Sequence, residues 1–300
     1  MTDIRIPADV AAEQALASVT YHLPAPPLRK AITTYYLVRV TGPGVVTDQI
    51  FPEWANFRFV LSGGWTARFP GADWAPVPAV GVTGALERAV WVTGSEGLLV
   101  GVGLMPQGWP MFTRAPAHRF ADQMRPLADV LGPAADAIGA DLRHAPDVPA
   151  MLAALDRALP PLLRDGSDAD AVAAAHAALQ DGAVQTVAGW ADRVGLSPRQ
   201  LERFCRRYFG LTPKRLLRRQ RVLRTLATMR ESPDGGWSKS IDDQFADQAH
   251  FIREFRYYMG ESPRAYLARE QPFMGEAWKR RKALLGAPVQ VLQPPTGPDA

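Results

Sequence analysis

Apolar and polar positions follow different periods in the two halves of the chain. Up to Pro106 the apolar residues gather in short β-branched or aromatic runs punctuated by Gly and Pro: KAITTYYLVRV, VVTDQIF, NFRFVLSG, WTARFPG and VPAVGVTG. Such runs predict strands. ERAVWVTGSEGLLVGVGLMP predicts a hairpin, with its turn near Gly94-Ser95-Glu96-Gly97. Closely spaced strands with turn signals predict a β-sandwich or small barrel. After Pro106 the spacing becomes helical, around 117–131, 132–143 and 147–164, in Ala- and Leu-rich segments. PPLLRDGSDAD (160–170) carries two prolines, then Gly, Ser and acids, and predicts a linker.

From Asp168 onward nearly everything has a helical period, and DADAVAAAHAALQ opens on acids as a helix N-terminus favours. After Gln271 the pattern is lost. A basic cluster, Lys279-Arg280-Arg281-Lys282, precedes VLQPPTGPDA, and disorder is expected there. The expected architecture is therefore α+β in two domains. A β-rich domain with trailing helices covers 1–165, an all-α domain covers 168–272, and a basic disordered tail covers 273–300.

Charge sharpens this division. Residues 1–170 hold 13 basic and 17 acidic side chains, residues 171–300 hold 21 and 13, and between Ser197 and Arg230 there are 11 basic residues and one acid, Glu202. The second half is the one expected to meet a polyanion. No apolar run is long enough for a membrane span and the N-terminus lacks the pattern of a secretory leader, so a cytoplasmic, nucleoid-associated protein is expected. The single cysteine, Cys205, excludes an internal disulfide framework and a multi-cysteine zinc site. The five histidines are scattered, with no paired ligand spacing, so no metal, cofactor or catalytic residue is expected.

One unit occurs twice. RQLERFCRRYFGLTPKRLL begins at Arg199 and HFIREFRYYMGESPRAYL at His250, so that Arg203, Arg206, Tyr208, Gly210 and Pro213 recur fifty residues later as Arg253, Arg256, Tyr258, Gly260 and Pro263. Before the first copy, Ala191 and Gly195 lie four apart among Trp190, Val194, Leu196, Leu201 and Phe204, the pattern of a helix-turn-helix. Ala191 permits close helix approach and Gly195 can take the left-handed conformation that ends the first helix. Ser197, Pro198 and Gln200 predict a capping box at the start of the second. Leu201 and Phe204 then face inward, and Arg199, Glu202, Arg203, Arg206 and Arg207 face outward. PKRLLRRQRVLRTLATM predicts an amphipathic connector with Leu216, Leu217, Leu223 and Leu226 buried. In the second copy Phe251 and Phe255 face inward, while Gln248, His250, Arg253 and Arg256 face outward. Two such units on a rigid connector can place two helices in successive major-groove segments.

Here the chain resembles the AraC/XylS transcriptional regulators. The likeness rests on Ala191, Gly195, Ser197-Pro198, Leu201, Arg203, Gly210, Thr212-Pro213, then Asp247-Gln248-Ala249-His250-Phe251, Arg253, Phe255, Gly260 and Ser262-Pro263. YHLPAPPLRKAITTYY, DQIFPE, GVTGALERAV and VGVGLMPQGW are similar to the cupin-like N-terminal domain of one subgroup of that family. Cys205 departs from the family pattern, as do Ser240 and Gln244 in the first helix of the second unit, where only Trp237, Ile241 and Phe245 form an apolar stripe.

The resemblance implies a sequence-specific DNA-binding transcription regulator without enzymatic activity. It implies base reading by Arg199, Glu202 and Arg203, and by Gln248, His250 and Arg253 in the second unit, since arginine can pair with guanine and glutamate can accept from cytosine. Arg206, Arg207, Lys214 and Arg256 are expected on phosphates. Arg218, Arg219, Arg221 and Arg224 on the connector fit either phosphate contacts or a solvated face. In FPEWANFRF, alternation puts Trp54, Asn56 and Arg58 on one face as a candidate ligand site. The partners in view are double-stranded DNA, RNA polymerase, a small-molecule effector and a second copy of the chain. Two rivals stand beside this expectation: a ligand-independent regulator whose first half only dimerises or binds a protein, and a cupin-type enzyme fused to a DNA-targeting module.

Overall fold

The computed structural model describes residues 16–231 and 245–295. Strands β1 (Leu16–His22), β2 (Ile32–Ile50), β3 (Asn56–Val60), β4 (Trp65–Arg68), β5 (Ala75–Pro76), β6 (Val80–Thr83), β7 (Val90–Leu104) and β8 (Met124–Pro126) form one sheet. Its order is β1-β2-β7-β3-β6-β8, with β4 on the first half of β7 and β5 on β4. The sheet is built on two long antiparallel strands. The runs KAITTYYLVRV and VVTDQIF are not two strands but one, β2, interrupted by a register shift between Val40 and Val45. Gly42 and Gly44 take left-handed φ values there (84° and 106°), and Pro43 has no N–H to give the ladder.

The hairpin expected at 94–97 is likewise absent, because β7 runs straight through it. Its glycines serve close approach rather than a turn. A Cβ on Gly94 would come within 2.6 Å of the Trp65 ring, and one on Gly97 within 2.3 Å of the Ser62 carbonyl.

Alternation along the central strands divides the sheet into two faces. Tyr35, Leu37, Phe57, Phe59, Val100 and Val102 form one, packed on the helices that follow the strands. These are α1 (Gly108–Phe112), α2 (Ala128–Leu131), α3 (Ala134–His144) and α4 (Val148–Ala158). The Tyr35 hydroxyl donates to Asp156 of α4 at 2.9 Å and ties helix to sheet. The helix expected over 117–131 is reduced to a short turn, β8 and the four-residue α2. Pro116 and Pro126 cannot continue a helix, and Asp122 has a left-handed φ of 54°.

The second half is helical: α5 (Ala169–Gln180), α6 (Val187–Arg193), α7 (Pro198–Tyr208), α8 (Pro213–Glu231), α9 (Gln248–Met259), α10 (Pro263–Ala268) and α11 (Met274–Leu285). The segment carrying Trp237, Ser240, Ile241 and Gln244 lies outside the described residues. The expected disordered tail is corrected as far as Pro295. Helix α11 and the turn at Gln290–Leu292 are folded, and Phe273, Trp278, Val289 and Val291 are buried. The sequence pattern fails there because Arg281, within the basic cluster, is buried with Ala277 and Trp278 on the inner face of α11 while Lys279, Arg280 and Lys282 stay exposed.

The two halves share one core. Phe51, Trp54, Ala85 and Ala89 of the sheet half pack in the same cluster as Trp190, Leu201, Phe209 and Phe255 of the helical half. Hydrogen bonds cross as well, from the Ala89 backbone N–H to the Tyr258 carbonyl at 2.7 Å and from the Gln49 side-chain Nε2 to the Met259 carbonyl at 2.8 Å.

Candidate nucleic-acid interface

The first helix-turn-helix forms as its sequence dictates. Thr186 caps α6 by accepting from Gly189 N–H. Gly195 turns the chain at φ 67°. Ser197 and Gln200 then close both bonds of the capping box on α7. Leu201, Cys205 and Phe209, at spacing four, are buried, and Phe204 is half-buried against the same cluster. Cys205 fills the core position of α7, where burial pushes its thiol up and leaves it unreactive.

The opposite face of α7 is open. Arg199, Glu202, Arg203, Arg206 and Arg207 are all exposed. Glu202 and Arg206 pair at 3.3 Å, an exposed contact of little energetic weight that holds the carboxylate along the helix. Arg207 donates to the Tyr208 hydroxyl at 3.0 Å, and that hydroxyl donates to Asp168 at 2.6 Å. Lys214 is exposed at the start of α8.

The second unit repeats this local chemistry. Asp247 caps α9 by accepting from His250 N–H at 2.6 Å. Phe251, Phe255, Tyr258 and Met259 are buried. Gly260 ends the helix at φ 75°, as Gly210 ends α7 at φ 84°, and Ser262 caps α10. Gln248, Arg253 and Arg256 are exposed, whereas His250 is half-buried against Phe245 with ring centroids 5.6 Å apart.

The connector arginines belong to the fold and not to an open face. Arg218 and Arg221 both pair with Glu254 of α9. Burial opposes ionisation of Glu254, but the two guanidiniums outweigh it and hold the carboxyl below the ordinary range. Arg219 is fully buried and donates to the Leu86 carbonyl at 2.7 Å. Arg224 donates to the Leu179 carbonyl at 2.8 Å. Nothing in the helical pattern of α8 distinguishes these four from Lys214, because their partners come from distant segments.

A family model described as a helix-turn-helix domain matches residues 190–269. Over 74 residues the chain is 40% identical to the HTH-type transcriptional activator RhaS of Escherichia fergusonii, a match covering 25% of this chain and 27% of that protein. Residues 190–269 are an AraC-type helix-turn-helix domain. The chain thus spans about a quarter of the length of the curated relative it matches. Among solved structures, ToxT from Vibrio cholerae O395 aligns with a TM-score of 0.39 at 10% identity, covering 84% of this chain and 96% of that one. The AraC-like transcriptional activator CuxR aligns with a TM-score of 0.34 at 14% identity, covering 79% and 90%.

Beside the AraC-type domain, the second face of the sheet lines a cavity of about 90 Å³. Tyr21, Tyr36, Gly101, Arg58 and Gly81 are register partners across β1, β2, β7, β3 and β6, and so form one row. A Cβ on Gly101 would lie 1.9 Å from the Tyr36 ring, so the glycine lets that ring lie flat beside Arg58. Arg58 is bonded to Glu53 and Thr83. Of the three residues assigned to a ligand face, Asn56 and Arg58 line this cavity and Trp54 does not. Trp54 precedes β3, where alternation does not hold, and its ring packs against His176 and Phe209. Glu53 lines the cavity in its place, and the far wall is supplied by Phe273, Met274, Ala277 and Arg281 around α11. Alternation along β1 and β2 would have found Tyr21 and Tyr36, but no local signal marks Arg281. Among the described residues, no three or more His, Cys, Asp or Glu side chains gather to hold a metal, and no helix is long and apolar enough to cross a membrane.

Proposed function

We propose that the protein is a sequence-specific DNA-binding transcription regulator. The observation that carries this is the face of α7. Its inner residues are locked by packing and a complete capping box, while Arg199 and Arg203 stand exposed on the rigid helix that an AraC-type unit presents to the major groove. Arg199 and Arg203 then read guanine edges, Glu202 accepts from cytosine, and Arg206, Arg207, Lys214 and Arg256 contact phosphates. Gln248 and Arg253 read bases from α9. His250 has less reach because it is half-buried. Selection of bound duplexes from a random pool, followed by binding isotherms on the selected site and a scrambled one, tests this. A discrimination of about 10³-fold or more is expected of a specific regulator, and equal affinity for both duplexes refutes it.

The sheet half acts as the effector-responding part. A polar-ended cavity between sheet and α11, beside the shared core, supports this over a half that serves dimerisation alone.

A further inference from the structure

We propose that the cavity beneath α11 binds a small carboxylate and that Arg281 is its counter-ion. This rests on the effector role assigned to the sheet half above, and names the class of molecule.

Arg281 projects from α11 toward the sheet and is only 5% exposed. Its partners are neutral: the Thr34 hydroxyl at 3.4 Å, the Gln293 side-chain carbonyl at 2.5 Å, and Tyr21, whose hydroxyl meets the guanidinium and whose ring centroid lies 5.7 Å from it. Its Nε–H has no partner, and no carboxylate among the described residues lies within ion-pair distance of it. Burying a guanidinium without a carboxylate is costly. Glu53 is the cavity's one carboxylate, and Arg58 already holds it. The polar end therefore carries two guanidiniums and one carboxylate. The Tyr36 hydroxyl, in the same row, faces the Arg58 guanidinium, which can only donate, so the hydroxyl proton has no acceptor. Two unmatched donors and one unmatched positive charge call for an anionic acceptor, and the planar guanidinium fits a carboxylate best.

The rest of the wall sets the body of the ligand. Val19, Val38, Trp65, Val92, Leu99 and Phe273 make the other end apolar. Inorganic phosphate or sulfate would satisfy the charge and waste that surface. The 90 Å³ volume is smaller than the roughly 150 Å³ that accommodates benzene, so a short aliphatic acid fits and a larger one must lift α11.

The position of Arg281 also gives the ligand something to report to. The start of α11 is held by Asp48 of β2, which accepts from Phe273 N–H at 2.9 Å and Met274 N–H at 2.8 Å. Beyond α11, Gln290 accepts from Trp54 N–H at 2.9 Å, and the Val291 carbonyl accepts from Gln220 of α8 at 3.0 Å. The segment from 273 to 293 is thus a strap from the cavity to the connector between the two helix-turn-helix units. A carboxylate on Arg281 tightens the strap, and a molecule too large for the closed cavity loosens it.

The test uses the full chain, with acetate, butyrate and hexanoate and their amides as probes, by calorimetric titration and thermal shift. At least one acid should bind at least tenfold more tightly than its amide and raise Tm. Arg281→Gln should weaken that acid at least tenfold, and Arg280→Gln, on the exposed side and paired with Glu276, should not. The proposal is overturned if no acid binds, if amides bind as well as acids, or if Arg281→Gln binds unchanged. Should Arg281→Gln not fold, the acid–amide comparison on the unaltered protein decides alone. Operator affinity is measured on the same samples. DNA binding without acid binding sinks this site and spares the regulator, and acid binding without DNA binding does the reverse.

Discussion

The Arg219 guanidinium lies 4.1 Å from the centroid of the Trp54 ring, joining the connector of the AraC-type domain to the sheet half. Arg219 also donates to the Leu86 carbonyl from the same position. Burial lowers its pKa to about 10, against the pull of Tyr258, Asp122 and Glu87, so it remains charged at neutral pH. Arg219→Ala leaves a cavity beside Trp54 and removes a charge-assisted hydrogen bond, and should cost about 3 kcal/mol in urea unfolding. Arg219→Met, which keeps the volume, should cost clearly less.

The strap should be structural as well as regulatory. A chain ending at Gln271 loses Phe273, Trp278, Val289 and Val291 from the core. At about 1.5–3 kcal/mol for each large apolar side chain, the loss rivals the whole stability of a typical domain. Such a chain should show no cooperative thermal transition. The helical fragment 168–272 should suffer likewise, because it also loses Phe51 and Trp54 from the shared cluster. A truncated chain that melts like the full one would show that the strap carries no stability.

His176 gives the stability a defined pH dependence. It is fully buried, and burial, followed by nearby Arg219, lowers its pKa to about 3. Between the ordinary histidine value and pH 3, the unfolded chain binds a proton that the folded chain refuses. Stability from this residue is therefore present at neutral pH and falls as pH drops below about 6.5, by about 1.4 kcal/mol per unit. Urea unfolding from pH 7 to pH 4 should show a shallower loss for His176→Gln than for the unaltered protein. Equal slopes would place the dependence elsewhere.

The connector arginines should be silent toward DNA. Arg218 and Arg221 are held by Glu254, and Arg224 by the Leu179 and Gln180 carbonyls. Replacing Arg224 with Gln should leave the slope of log affinity against log salt unchanged, whereas Arg206→Ala should reduce it by about 0.9. A lower slope for Arg224→Gln would put the connector on the DNA backbone.

What was legible in the sequence was what local chemistry determines. The capping box at Ser197, the glycine turns at Gly195, Gly210 and Gly260, and the buried stripe through Leu201 all stand where the pattern put them. Errors arose where glycine or arginine served a distant partner. Gly94 and Gly97 imitated a turn because they admit Trp65 and Ser62. Arg219 and Arg281 imitated surface charge because each reaches a partner more than a hundred residues away in the sheet half, Leu86 for Arg219 and Thr34 for Arg281. The cavity was half visible, through Asn56 and Arg58. Its other wall comes from a segment where the buried Arg281 stands within a basic cluster.

The central claim is that α7 reads sequence through Arg203. Leu201 packs inward, and Arg203, two residues on, is exposed within the first two turns, while Arg206 lies farther along, toward the groove wall. The decisive measurement is a set of binding isotherms for Arg203→Ala and Arg206→Ala on specific and scrambled duplexes at two salt concentrations. Arg203→Ala should cost about 1–3 kcal/mol on the specific site and little on the scrambled one. Arg206→Ala should weaken both alike. Equal weakening of both duplexes by Arg203→Ala would make it a phosphate contact and contradict the account.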